Sequence, residues 1–164
     1  MKTLMALGAC VALAGCDYTV PLVKTPALEI DAAAVGLWQR SKDDGQIERL
    51  LVLPLNKREY MVSFPSGSQD AMFARAWLCR SGDMTLVQLE WIGTAQGKLP
   101  EDRRVFQLAS YSVLGDALTV RMLNADVVKK DLKSSGELAK AIADNKSKPD
   151  FFKDKMVFTK VKGN

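Results

Sequence analysis

Between Val35 and Asn124 the chain repeats one pattern: a short apolar or alternating run, then a link too short to let the chain do anything but turn back. Asn56-Lys57 separates Leu55 from Arg58, Ser81-Gly82-Asp83 follows Arg80, and Gly115-Asp116 separates Leu114 from Ala117. Asn, Asp and Gly supply the positive φ angles that tight hairpin turns need. A parallel return would take a dozen or more residues, so runs joined this way are expected to pair antiparallel. The candidate strands are Val35–Arg40, Ile47–Leu55, Arg58–Phe64, Ala71–Arg80, Met84–Thr94, Arg103–Leu114 and Ala117–Leu123. Neighbours in sequence should be neighbours in space.

The alternation inside these runs points to a sheet with one dry and one wet face. In Met84–Ile92, Thr85, Val87, Leu89 and Trp91 share a face while Gln88 and Glu90 take the other. In Ala117–Leu123, Leu118, Val120 and Met122 alternate with Thr119 and Arg121. The pattern then changes period. Ser134-Ser135-Gly136-Glu137 has the form of a capping box, with Ser134 as cap, and Leu138 and Ile142 give the helix to Asn145 one apolar stripe. Asp126–Leu132 is expected to make a shorter helical turn. After Pro149, Lys155–Lys162 alternates as a final strand. The expected fold is mainly β: an antiparallel up-and-down meander closing into a small eight-stranded barrel, with one helix before the last strand.

Gly36-Leu37-Trp38, at the start of the first strand, resembles the Gly-x-Trp signature of lipocalins and related calycins. That resemblance implies a barrel whose tryptophan seals the closed end. It also implies an arginine near the base on a late strand, where this chain offers only Lys160 and Lys162. Trp38, Trp77 and Trp91 are the candidate linings of a ligand cavity, with Phe73, Tyr60 and Phe64 as further aromatic surface and core filling as the alternative.

The front of the chain has a different logic. Lys2 precedes an uncharged apolar run, Leu4–Leu13, too short for a transmembrane helix of about 20 residues but suited to a secretory signal. The run ends in Leu13-Ala14-Gly15-Cys16, which resembles the lipobox of bacterial lipoproteins. The resemblance implies a signal peptide over residues 1–15, cleavage between Gly15 and Cys16, and a diacylglycerol on the Cys16 thiol, usually with acylation of the new amino terminus. Palmitate-type chains would then hold the protein on a membrane of the cell envelope, facing the periplasm. Asp17 resembles the signal that retains such proteins in the inner membrane of enteric bacteria. Residues 16–33, with Pro21 and Pro26 and no turn or cap signals, read as a flexible lipidated tether spanning on the order of 25 Å. Residues 34–164 then form a single β-rich domain.

Composition narrows the chemistry. The chain has no histidine, which removes serine-histidine and cysteine-histidine catalysis and most zinc and copper sites. With Cys10 in the leader and Cys16 lipidated, Cys79 is left alone, so no intramolecular disulfide is expected, and a buried strand position suits it better than a reactive one. Losing residues 1–15 removes one charged residue, Lys2, from a chain of formal net charge +4. Every basic residue from Asn124 onward is a lysine, a face that could attract anionic headgroups. The arginines are scattered without aromatic interleaving, which argues against nucleic acid. Asp43-Asp44-Gly45 lacks the ligand pattern of a calcium loop and reads as a polar turn. Glu101-Asp102-Arg103-Arg104 and the pair Arg75 and Glu90 read as strand-surface charges unless they converge at a barrel mouth. Phe151-Phe152 either docks the last segment or dips into a membrane interface. No catalytic residue, metal or free cofactor is assigned. The reading is a lipid-anchored, non-enzymatic envelope protein that binds a small apolar or lipid-like ligand. The alternative is a protein-binding envelope module: an assembly accessory, a hydrolase inhibitor or an immunity lipoprotein.

Overall fold

The computed structural model describes residues 17–98 and 104–163. The apolar leader, Gly15, Cys16, and the charged residues Glu101, Asp102 and Arg103 lie outside the described residues. Eight strands occur in the order β1 (Gly36–Ser41), β2 (Ile47–Pro54), β3 (Tyr60–Phe64), β4 (Met72–Ser81), β5 (Met84–Thr94), β6 (Phe106–Leu114), β7 (Ala117–Leu123) and β8 (Phe152–Lys160), with α1 (Ser135–Asn145) between β7 and β8. Each strand pairs antiparallel with the next, and β8 returns to β1 through Trp38↔Lys160 and Gln39↔Thr159. The result is the expected closed eight-stranded meander with its late helix.

Strand ends shift from the sequence reading where side chains compete for the backbone. β3 starts at Tyr60 rather than Arg58, because the Leu55 and Asn56 N–H groups donate to the Glu59 carbonyl while Asn56 Oδ1 accepts from Arg58 N–H. β8 starts at Phe152 rather than Lys155. An irregularity between Val120 and Met122 lets Lys153 and Phe152 go on pairing with Met122 and Leu123. The helical turn expected over Asp126–Leu132 is a single turn gathered on Asn124, whose carbonyl accepts from Val127 and Val128. At α1 the cap is as expected: Ser134 Oγ accepts from Glu137 N–H, and the Glu137 carboxylate reaches back to Lys133 N–H.

Period-two alternation sorts each strand between a chamber and an outer wall. Leu50 and Val52, Leu89 and Trp91, Leu118 and Val120 point inward, leaving Arg49, Arg75 and Arg121 outside. Polar outside and apolar inside is the reverse of a membrane-spanning barrel. Strand direction defines two ends. Odd-numbered strands run toward an end rimmed by the β1–β2, β3–β4 and β5–β6 loops, here the mouth, and even-numbered strands run away from it toward the floor.

The expected wet outer face is not wet everywhere. On β4, β5 and β6 it carries Cys79, Leu86 and Leu108, which form a second apolar cluster with Leu138 and Ile142 of α1 and with Tyr18, Leu22, Val128 and Phe151. Gln88, expected in solvent, is 0 % exposed because its amide is a backbone surrogate. Its Oε1 accepts from Leu22 N–H at 2.6 Å and Val23 N–H at 3.0 Å, and its Nε2 donates to the Val23 carbonyl at 3.0 Å.

The flexible tether expected over residues 16–33 is corrected by the same contacts. Asp17 N–H and Tyr18 N–H both donate to the Phe106 carbonyl at 3.0 Å, and Phe106 N–H returns to Tyr18 at 3.0 Å. Tyr18 is 0 % exposed and its hydroxyl donates to the Val128 carbonyl at 2.7 Å. From there the segment descends the outer wall past Gln88 to the floor, where Ile30 N–H donates to the Lys57 carbonyl at 3.0 Å. Proline and the lack of regular periodicity suggested a coil. The strip instead satisfies its backbone on the barrel, a pattern that intrinsic propensity does not encode.

Candidate functional site

The floor is made by the end of that strip. Asp31 caps a short 3-10 turn, Ala32–Ala34, by accepting from Ala33 N–H, and the turn lies across the base of the barrel. Two tyrosines hold it. Asp31 N–H donates to the Tyr60 hydroxyl at 2.5 Å, and the Tyr111 hydroxyl donates to Asp31 Oδ2 at 3.2 Å. Trp38, 0 % exposed, closes the remaining gap and donates from Nε1 to the Ala34 carbonyl at 2.9 Å.

The base also carries a cation. Lys160 Nζ lies 5.0 Å from the centre of the Trp38 ring, within the range of an attractive cation–π contact. Its stem crosses Gly36, whose φ of +145° suits glycine and where an added Cβ would stand 2.9 Å from Lys160 Cε. Gly36, Trp38 and Lys160 thus form one unit: the glycine leaves room for the lysine that covers the tryptophan.

Above the floor is a chamber of about 410 Å³, with Leu50, Val62, Leu89, Trp91, Val120 and Phe158 among its walls. That volume lies within the range of small-molecule sites, about 300–1,000 Å³. A second concavity, beside Glu29, Ile30, Asn56 and Lys57, lies outside the barrel at the floor end and is a shallow surface feature. Of the three tryptophans expected to line a cavity, the structure places one, Trp91, in the chamber wall. Trp91 lines the chamber, with Nε1 satisfied by Gln107 Oε1 at 2.9 Å, and Trp38 sits beneath it. Trp77 does not belong there. Its neighbours Ala76 and Leu78 take the inward positions, so alternation turns the indole outward, where it is buried with the Arg75 guanidinium 6.0 Å from its ring. Phe64 and Tyr60 also line the chamber, whereas Phe73 is absent from its walls.

The chain matches no protein-family model, curated protein or solved structure.

At the mouth, Arg40, Lys42 and Glu48 face the chamber. Arg40 makes two contacts to Glu48 Oε2, from Nε at 2.8 Å and from Nη2 at 2.6 Å, and its guanidinium lies 5.9 Å from the Phe64 ring and 5.4 Å from the Phe158 ring. A charged rim over apolar walls suits an elongated ligand with a polar end. The sequence reading missed Arg40, although it stands two residues from Trp38 on the same strand, and period two alone would have turned it inward.

The other candidates stay apart from the chamber. Arg75 bridges Glu59 and Glu90 on the outer wall. Asp43-Asp44-Gly45 is a polar turn, with Asp44 Oδ1 accepting from Gln46 N–H and Gly45 at φ +81°. Phe151 is buried in the outer cluster, its ring 4.8 Å from that of Phe152, so it docks the last segment. Arg104 pairs with Asp131 at 3.1 Å. Cys79 is buried, donates weakly to the Leu86 carbonyl, and has its thiol pushed up to about 12 by burial.

Burial likewise raises the hydroxyl pKa of Tyr18, Tyr60 and Tyr111, with the Asp31 carboxylate adding to the effect at the latter two. In the unfolded chain these groups and Cys79 release protons at lower pH than in the folded one. The unfolded state then binds fewer protons, and stability falls as pH rises, by at most about 1.4 kcal/mol per pH unit for each group titrating only when unfolded. Urea midpoints are expected to decline from about pH 9 upward. Midpoints that hold or rise through this range would contradict the burial of these groups.

Proposed function

We propose that this chain is a non-enzymatic carrier, lipid-anchored through Cys16 in the cell envelope, that holds one small apolar or lipid-like ligand inside the barrel. The supporting observation is the chamber of about 410 Å³ above a sealed floor. A protein-binding module has no use for an empty apolar interior; it would fill its core and place its apolar surface outside. Eight strands enclose just enough space for side chains or for one small ligand, and here inward positions such as Ala76 and Ala109 are too small to fill it.

Those alanines give the test. Ala109→Trp would thrust an indole into the middle of the chamber. Overpacking of this kind costs roughly 1–3 kcal/mol of stability, so the variant should remain folded by thermal melt. Binding of a fluorescent acyl probe is expected to drop to background in this variant, and native mass spectrometry of wild-type protein from its host envelope should show a discrete apolar adduct that the variant lacks. Undiminished probe binding by a folded Ala109→Trp protein would remove the chamber from consideration.

A further inference from the structure

The strip that crosses the floor begins at the other end of the barrel. Asp17 and Tyr18 are hydrogen-bonded to Phe106, the first residue of β6, and β6 is an even-numbered strand, so it begins at the mouth. The attachment is firm. Asp17 is 5 % exposed, its Oδ1 lies 3.1 Å from Lys130 Nζ, and Tyr18 is locked beneath Val128. Cys16 is the next residue, and consecutive Cα atoms are about 3.8 Å apart. If the anchor is on Cys16, no slack separates the acyl chains from the rim.

We infer that the mouth of the barrel is held against the bilayer that anchors the chain, and that the chamber exchanges its ligand directly with that bilayer. This rests on the anchoring proposed above. Acyl chains on Cys16 must enter the hydrocarbon, which brings the Phe106 end of β6 to the headgroups. The hairpin tips at Lys57, Gly82 and Gly115 then point away, a barrel height of on the order of 20 Å from the membrane for strands of this length and ordinary tilt. Exposed apolar side chains occur at both ends, Ile47 and Ile92 near the mouth and Leu55 and Leu114 at the floor. Surface apolarity therefore does not choose the orientation; the covalent attachment does. Lys129 and Lys133 follow β7 on the mouth side, and each lysine near an anionic surface contributes about 1 kcal/mol. A ligand leaving the bilayer would enter past Arg40 and Lys42 without crossing bulk water.

The test uses the full lipidated chain in vesicles of phosphatidylcholine and phosphatidylglycerol whose headgroups carry a nitroxide. A fluorophore is placed either at the mouth, by Asp43→Cys, or at the floor end, by Leu114→Cys; the native Cys79 is buried and out of reach. The mouth probe should be strongly quenched and the Leu114 probe should stay at the level seen with unlabelled vesicles. A Gly-Ser spacer of about 20 residues between Cys16 and Asp17, with a coil span of about 25 Å, should keep the chain on the vesicles, abolish the quenching contrast and slow transfer of a fluorescent lipid into the chamber. Flotation separates the two ideas. Protein that fails to float with the vesicles defeats the anchor and this orientation together. Protein that floats with its Leu114 probe equally or more quenched, or whose contrast survives the spacer, defeats the orientation while leaving the anchor standing.

Discussion

Cys16→Ala is expected to move the protein from wholly membrane-bound to wholly released or unprocessed. On the proposed anchoring the Cys16 thiol is the nucleophile that would accept the diacylglycerol, and alanine has none. Each buried acyl CH₂ contributes about 0.8 kcal/mol, so two or three chains hold the protein stably, whereas the variant keeps no comparable grip. Among the described residues no helix is long and apolar enough to cross a membrane, and the barrel wall carries Arg49, Arg75 and Arg121 outward, where a membrane-spanning barrel would be apolar. Fractionation of cells expressing the variant, with a lipid-label incorporation assay beside it, reads the result. Normal processing and full retention of Cys16→Ala would sink the anchor.

The largest expected loss of stability belongs to Trp38→Ala, about 3–5 kcal/mol, as for other fully buried aromatics. The indole ties several parts of the floor together: it donates to the Ala34 carbonyl that ends the 3-10 turn, lies beneath Lys160, and belongs to the main core with Tyr60 and Phe158. Removing it leaves the Ala34 carbonyl without that donor and Lys160 without its ring. Lys160→Ala alone should cost roughly 0.5–1 kcal/mol, the worth of a partly exposed cation–π contact. In the double variant part of that loss should vanish, since the lysine then has nothing to cover. Urea unfolding of the four proteins measures the cycle. A Trp38→Ala loss under about 1 kcal/mol would mean that the floor is held by something else.

What the sequence made legible was whatever local chemistry enforces. The turn residues Asn56-Lys57 and the two-residue link Gly115-Asp116 pointed to antiparallel pairing, and Ser134 with Glu137 announced α1. Closure of β8 on β1 also followed, because a meander of eight strands has two edges to hide. What stayed hidden was the covering of the outer wall. Gln88 reads as a solvent-facing amide, and nothing near it in sequence says that Leu22 and Val23 will use it as a strand edge. Trp77 misled for a related reason. Its large apolar surface suggested the chamber, but two apolar faces on β4 were available, and only the position of Ala76 and Leu78 decides between them. At the base, the resemblance implies an arginine, and of the two lysines the last strand offers, Lys160 takes that place because Gly36 provides the space for its stem.

The seam between β1 and β8 has a consequence for how the molecule comes into being. The pairings from β1–β2 to β6–β7 join strands across short links and can form as soon as each link has turned, and β7–β8 closes over α1. The pairing of Trp38 with Lys160 spans nearly the whole domain, so it must wait for the last strand to emerge. Until then the largest buried side chain has no lid, and the apolar inner wall is an open, curled sheet. A chain made amino end first therefore spends most of its synthesis with the walls of its future chamber turned toward whatever it meets. Folding catalysts that recognise exposed apolar surface would find more of it in that interval than in the finished barrel.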